Sequence, residues 1–377
     1  MIPNISTIEL FQLSSGDRFS LQIYKFSGIQ PGKKVYLQAN LHGAEIVGNA
    51  VINQLIEFLM TLDSNQLAGE IWLVPVCNPL GTNQRNHCFS TGRFNSYDGR
   101  NWNRIFWDYE PECEDLNTFA QSQINLQPDE IRKNYLARIQ SAFDTHLEKL
   151  QSPSGLPVDE LYRYRLQSLC LDANYIIDIH SSSNQAIDYL FCFHSREESA
   201  KAFLLDYGIL LTEYGGETFD EAFMKPWLVL ENKLAQLGKK IKFDLDSWTL
   251  ELGSGMVMNP ESVQKGVLGI KNYLAHKGVL EIPGFPLTAT SSHQVKFIPK
   301  GQTQIYYATA GGMVQSRVPL GSSIKAGQLL YQLLSFNKDK KLPTLIDVCA
   351  QADGLVYTVS TNHAVNEGEH VISIMLS

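Results

Sequence analysis

A chain of 377 residues exceeds one typical domain and predicts one large domain with a smaller companion. Hydrophobic residues at 44% and charged residues at 19% supply enough apolar side chain for a sizeable core and exclude a disordered polymer. A net charge of −8 with no basic cluster excludes a nucleic-acid partner, because such binding rests on Lys and Arg neutralising phosphates.

The chain opens on MIPNISTIELFQLSSGDRFS, which lacks the basic start and continuous apolar run of a signal peptide. No run of about eighteen apolar residues follows, so no membrane partner is expected. Cys77, Cys88, Cys113, Cys170, Cys192 and Cys349 show no CxxC spacing. They read as reduced thiols of a cytoplasmic protein, used as core filler and not as zinc ligands.

The first strong strand signal is VYLQANL at 35–41, running straight into Leu-His-Gly-Ala-Glu. His42 and Glu45 are spaced i, i+3, which predicts both on one side of a first helical turn, with Gly43 allowing a sharp bend at the strand end. A helix over 46–62 follows, carrying Val47, Ala50, Val51, Leu55 and Leu59 at helical spacing. EIWLVPVC at 70–77 is the next strand. The loop after it, NPLGTNQRNHCFSTGRFNSYDGRNWNRIF, is crowded with Asn and Arg and ends on Asn103 and Arg104. Arginine grips carboxylate in a two-pronged geometry that lysine does not copy, so the loop predicts recognition of a substrate carboxylate. A merely polar, turn-rich loop is the bland alternative.

Residues 108–172 are polar, with helical spacing at Ile131, Tyr135, Ile139 and Phe143, a Ser-Pro-Ser-Gly-Leu-Pro break and a second helix from Val158. They read as a helical insertion: a solvated hairpin, a lid, or a contact in a homo-oligomer. ANYIIDIH at 173–180 is apolar on both faces, as in a strand covered by helices, yet ends Asp-x-His before Ser181, Ser182 and Ser183. IDYLFCF at 187–193 predicts a strand, 195–211 and 222–238 predict helices, SWTLELG at 247–253 a strand and 261–278 a helix. Alternating strands and helices imply an α/β sheet with helices on both faces. After about residue 285, short strands and glycine turns take over, and Gly-Gly-Met-Val is echoed by Asp-Gly-Leu-Val. That weak repeat predicts a small β-sandwich or barrel.

A catalytic zinc site uses three protein ligands and leaves a position for water. His42 and Glu45 supply a close pair. The third ligand is expected at the C-terminal end of a neighbouring strand, where open α/β sheets build their sites, and His180 sits there. His194, closing LFCFH, is the fallback, while His87, His146, His276, His293, His363 and His370 read as loop or surface residues. A hydrolytic site also needs a base that stays off the metal. Glu251, an acid within an apolar strand just before glycines, fits that role; the alternative is a structural ion pair with a lysine.

In this order, HGAE, NPLGTNQR, GRNWNRIF, DIHSSS and ELGSG resemble the succinylglutamate desuccinylase/aspartoacylase family of the zinc carboxypeptidase-like superfamily. The resemblance spans roughly 35–377 and implies a zinc-carboxypeptidase-like mixed twisted sheet flanked by helices, over 1–288, and a small all-β domain, over 289–377, of biotinyl/lipoyl-like barrel-sandwich type. It implies one zinc ion per chain on His42, Glu45 and His180, Glu251 as general base, and Asn103 and Arg104 on the substrate carboxylate. It further implies an arginine that polarises the scissile carbonyl, Arg93 by preference and Arg85 as second choice. The acidic residue that usually precedes the Asn-Arg pair is Asn101 here, a departure that bears on the substrate.

The expected activity is zinc-dependent hydrolysis of the amide bond of an N-acylated amino acid. A zinc carboxypeptidase acting on short peptides is the rival, and a ligand-binding relative without catalysis stands behind both. A carrier module with a modified lysine among Lys338, Lys340 and Lys341 is disfavoured, because the Met-Lys-Met hairpin is missing.

Overall fold

The computed structural model describes residues 1–86, 90–287 and 294–377. The readings made for His87, Cys88 and His293, and the boundary between 288 and 289, lie outside the described residues.

The large sheet draws on β1 (Asn4–Gln12), β2 (Arg18–Ser27), β3 (Gln30–Ala39), β4 (Ala68–Val74) and β5 (Tyr175–Ser182). After the short β6 (Gln185–Ala186) it continues with β7 (Tyr189–Phe193), β8 (Tyr207–Leu211), β9 (Asp246–Ser254) and β10 (Lys296–Pro299). Its nine strands run β1-β2-β4-β3-β5-β9-β7-β8-β10, so the sheet includes a strand beyond residue 289. β4, β3, β5 and β9 are mutually parallel, while β2 and β7 join them antiparallel. The sheet is therefore mixed.

The helices are α1 (Val47–Thr61), α2 (Pro79–Asn83), α3 (Leu116–Gln123), α4 (Pro128–Lys149), α5 (Val158–Gln167), α6 (Glu197–Ala200), α7 (Phe219–Gln236) and α8 (Pro260–His276). α1 and α8 seal one face of the central strands through Val51, Leu55, Val263 and Ile270, packed on Val35, Leu37, Ile177 and Leu250. The other face meets Trp102, Tyr162 and Phe219. This double cover is why the central strands read as unbroken apolar runs. None of the helices is long and apolar enough to cross a membrane.

The expected helix over 195–211 is corrected. α6 gives way to a single 3-10 turn at Lys201–Phe203, Leu204 adopts the left-handed conformation, and Tyr207–Leu211 is strand β8. A short apolar run satisfies helix and strand patterns alike, and pairing with β7 and β10 decides this one.

The insertion is helical. On α4 the expected stripe of Ile131, Tyr135, Ile139 and Phe143 is buried, against Trp227, Leu230 and Leu234 of α7. α5 buttresses the Asn/Arg loop: Arg100 Nη1 lies 2.6 Å from Asp159 Oδ2, and Trp102 packs edge-on against Tyr162. His146, expected at the surface, instead stacks on Tyr164 at 5.0 Å between ring centroids.

Beyond the large sheet come β11 (Thr303–Tyr307), β12 (Gly312–Gln315), β13 (Ser323–Ile324), β14 (Leu329–Ser335), β15 (Thr344–Cys349), β16 (Gly354–Val359), β17 (Ala364–Val365) and β18 (His370–Leu376). They form an all-β unit of two sheets, β11-β18-β16-β13 and β15-β14-β12-β17, around Val314, Leu330, Leu333, Val356, Ile372 and Ile374. β6 pairs antiparallel with β16, so the connection after β5 becomes part of the small unit's sheet. His370, also expected at the surface, begins β18 and is half-buried. Cys77, Cys113, Cys170 and Cys192 are buried free thiols, and Cys349 is exposed.

Candidate metal centre and its cavity

β3, β5 and β9 run parallel at the centre of the sheet, and their C-terminal ends bring His42, His180 and Glu251 together. After β3 the chain turns at Asn40, whose φ of 69° lies in the left-handed region that Asn tolerates better than most residues. The Asn40 side chain then donates to the carbonyls of His42 and Gly43, at 3.2 and 2.9 Å, and so shapes the loop around itself. His42 and Glu45 meet across a turn in which Glu45 N donates to His42 O at 3.1 Å. The turn precedes α1 and is not its first helical turn, a correction to the expected geometry. Gly43 is required for a different reason from the bend: a Cβ there would collide with the carbonyl of Gly81.

His42, Glu45 and His180 are each at most 2% exposed, and their ligating atoms lie within 4.8 Å of one another. Glu45 is central, with Oε1 3.0 Å from His42 Nδ1 and Oε2 2.8 Å from His180 Nδ1. The far nitrogen of each imidazole faces an acceptor. Asp178 Oδ2 lies 2.8 Å from His180 Nε2, and Asn101 Oδ1 lies 3.0 Å from His42 Nε2. Asn101 Oδ1 also accepts from Asn103 N at 2.9 Å, which identifies it as the oxygen. In a neutral imidazole one nitrogen donates and the other accepts. With both Nε2 atoms donating, each Nδ1 lone pair points at a Glu45 oxygen. Lone pairs facing lone pairs need a cation between them, and carboxylate–histidine pairs of this kind orient zinc ligands. The donor set therefore fits a divalent metal ion. Among the described residues, it is the one His/Cys/Asp/Glu group that does.

Without an ion, a proton can fill the same gap on the His180 side. Burial opposes charge on His180, but Asp178 and Glu45 outweigh it and hold the imidazole's pKa well above its ordinary value. Burial also opposes the Glu45 carboxylate, and the two histidines outweigh it and lower its pKa. For His42, burial wins over Glu45 and the pKa falls.

Glu251 stands in register beside His180. Its Oε2 is shielded from solvent and has no hydrogen-bond partner, and among the described residues no lysine pairs with it. The ion-pair alternative is thus not realised. Burial pushes its carboxyl up to about 7; His180 opposes the rise and Glu45 adds to it. Tyr189, which sequence reasoning missed, pairs with Glu251 across β7 and β9 and packs against Tyr357 of the small unit.

The cavity over this group is small, about 150 Å³, and Arg93, Asn103 and Arg104 are among the residues that line it. Arg93 Nη1 lies 3.3 Å from His42 Nδ1 and 3.1 Å from Ser183 Oγ. Asn103 Oδ1 accepts from Phe219 N at 2.9 Å, and Arg104 Nη1 donates to Asn103 O at 2.5 Å. Arg85 is not brought here. It is exposed, bonds to the carbonyls of Thr82 and Gln84, and borders a separate hollow beside Gly43 and Ala44. His194 faces solvent, 71% exposed at its side chain, and takes no part. Asn101 touches His42 and is not among the residues that line the cavity. Asp220, Glu221 and Thr249 also line the cavity, and Lys300 reaches in from beyond β10. Thr249 lies in the strand read as SWTLELG; the other three belong to no motif read in the sequence. No described residue of the helical insertion lines the cavity.

Residues 31–277 match the family model described as the succinylglutamate desuccinylase/aspartoacylase catalytic domain. A succinylglutamate desuccinylase/aspartoacylase structure from Shewanella frigidimarina superposes with a TM-score of 0.89 at 25% identity, covering 100% of this chain and 97% of the other. A family protein from Shewanella amazonensis gives 0.86 at 28%, covering 99% and 98%. The product-bound ectoine utilization protein EutE from Ruegeria pomeroyi shares the fold at 15% identity, with a TM-score of 0.69 and coverage of 100% and 96%. A search of curated protein sequences finds no match.

Proposed function

Because the chain belongs to the succinylglutamate desuccinylase/aspartoacylase family of deacylating hydrolases, we propose that it is a zinc-dependent amidohydrolase acting on a small N-acylated amino acid. The observation that carries this reading is the convergence of three acceptor side chains on one point beside an unpartnered, buried carboxylate oxygen. Zinc held by His42, Glu45 and His180 would supply Lewis acidity toward water and an acyl carbonyl.

Glu251 takes the proton of the attacking water and delivers it to the departing amine. A carboxyl raised to about 7 can do both near neutral pH. Arg93, within reach of the ligand group yet about one-third exposed, turns N–H groups toward the acyl oxygen as negative charge grows on it. Asn103 and Arg104 hold the substrate carboxylate, and the backbone bonds that engage both keep them in place. Phe191 and Leu211 exclude water from the same space.

A cavity of about 150 Å³ supports an acylated amino acid over the peptide substrate of the rival carboxypeptidase reading, which needs an open groove. Metal analysis of the purified protein, then hydrolysis of a panel of N-acyl amino acids and short peptides, tests the proposal. A stoichiometric metal with cleavage of acylated amino acids is expected. Release of C-terminal residues from peptides, or no hydrolysis with metal bound, overturns it.

A further inference from the structure

We infer that Ser183 is a positioning residue: its hydroxyl holds the Arg93 guanidinium at the edge of the metal centre, where that side chain meets the acyl oxygen. This rests on the deacylase reading and deepens it.

Arg93 and Ser183 come from parts of the chain far apart, the Asn/Arg loop and the turn that follows β5. Arg93 Nη1 has three acceptors in reach: Ser183 Oγ at 3.1 Å, His42 Nδ1 at 3.3 Å and Glu45 Oε1 at 3.4 Å. Its Nε and Nη2 make no hydrogen bond to a described residue, and Arg93 lines the cavity. Ser183 Oγ in turn lies 3.0 Å from Glu45 Oε1. A guanidinium only donates, an ionised carboxylate only accepts, and a hydroxyl has one proton and two lone pairs. The directions follow: Ser183 gives its proton to Glu45 and accepts from Arg93. Of the three serines after His180, Ser183 alone has this pair of contacts. Ser181 Oγ is buried without a partner, and Ser182 Oγ accepts from Asn184 N at 3.1 Å.

The other two acceptors of Arg93 belong to the ligand group itself. Once His42 and Glu45 hold a divalent ion, the His42 Nδ1 lone pair is no longer open to Arg93, and two positive charges stand close together. Ser183 Oγ is the acceptor of the three that lies outside the ligand group, so it stays open. By donating to a carboxylate it also becomes the better acceptor, because hydrogen bonds in a chain polarise one another. With Nη1 held there, the remaining N–H groups of the guanidinium are left for the acyl oxygen. The serine is itself fixed from both sides: Gly255 N donates to Ser182 O at 2.5 Å, and Thr361 N donates to Asn184 Oδ1 at 3.4 Å.

The test is a double-mutant cycle on the zinc-loaded enzyme, read with the N-acetyl amino acid that it cleaves fastest. Ser183→Ala is expected to lower kcat about 10-fold, the loss of one hydrogen bond to a charged group, with KM within about 3-fold. Ser183→Thr keeps the hydroxyl and is expected to bring kcat back to within about 3-fold of the parent. In an Arg93→Ala background, Ser183→Ala is expected to change kcat by less than about 2-fold, because the group it positions is gone. Competition with a chelator reads the second contact without turnover. The bond to Glu45 does not involve Arg93, so Ser183→Ala should weaken zinc binding about 10-fold in both backgrounds. Equal kcat losses with and without Arg93, full kcat in Ser183→Ala, or zinc affinity unchanged by it overturn the inference while deacylation stands. If the zinc-loaded wild-type enzyme cleaves no acylated amino acid, the deacylase reading fails and this inference with it.

Discussion

The amide oxygen of Asn101 lies 3.0 Å from Nε2 of His42 and 2.9 Å from the backbone nitrogen of Asn103. One side chain thus orients the His42 imidazole and anchors the turn that presents the Asn-Arg pair. Asn101→Ala removes the acceptor that keeps the proton on Nε2. Loss of such a partner costs about 10–100-fold in metal affinity. Competition with a chromophoric chelator should show that loss, and unchanged affinity would mean that His42 is oriented by its turn alone.

Glu251→Gln leaves the three ligands in place and removes the proton carrier. Turnover is expected to fall by about 10²–10⁴ while bound metal stays stoichiometric. Single-turnover hydrolysis with parallel metal analysis checks both halves.

The same substitution has a stability signature in metal-free protein. Glu251 has an ordinary carboxyl pKa of 4.5 and is raised to about 7 in the fold. Between those values the folded state holds a proton that the unfolded state has lost, so stability falls as pH rises through this window. Below about 4.5 the two states bind the proton equally and the penalty vanishes. Glu251→Gln should therefore be the more stable protein at pH 8, by roughly 1–3 kcal/mol, with the gain gone in acid. Thermal melts across pH 4–8 measure it; a gain that grows toward low pH would contradict the assigned environment.

Two arginines compete for the carbonyl-polarising role, and their positions separate them. Arg93→Ala is expected to lower kcat by about 10²–10³, the usual cost of losing an oxyanion donor. Arg85→Ala, outside the cavity, is expected to stay within about 3-fold. Steady-state kinetics of both variants on one substrate decides, and the reverse ranking would reassign the role.

Gly43→Ala keeps both ligands but drives a methyl group into the Gly81 carbonyl. Overpacking of this kind costs about 1–3 kcal/mol, and backbone has little room to relax. A lower thermal midpoint together with weakened metal binding is expected.

Much of the centre was legible because its chemistry is written in short local patterns. His42 with Glu45, His180 after an apolar strand, and Glu251 inside another all fall at ends of parallel strands, where sheet topology alone gathers them. What the patterns did not carry came from tertiary approach. Asp220, Glu221 and Lys300 carry no motif and enter the cavity only because α7 begins, and β10 ends, at its rim. The strand at Tyr207–Leu211 was hidden because a few apolar residues fit either period, and only sheet neighbours settle the matter. The role of Gly43 was misjudged for a related reason: its contact, Gly81, is far along the chain.

Two residues after Ser183, which donates to Glu45 at 3.0 Å, the backbone at Gln185 and Ala186 is laced into β16. The C-terminal sheet is thereby a brace for the centre as well as a neighbour to it. Amputating residues after Pro299 would strip the hydrogen-bonded partner from the peptide that steadies Ser183 and remove the aromatic backing of Tyr189. A shortened chain should consequently retain the sheet yet hold its ion more slackly than the whole protein does.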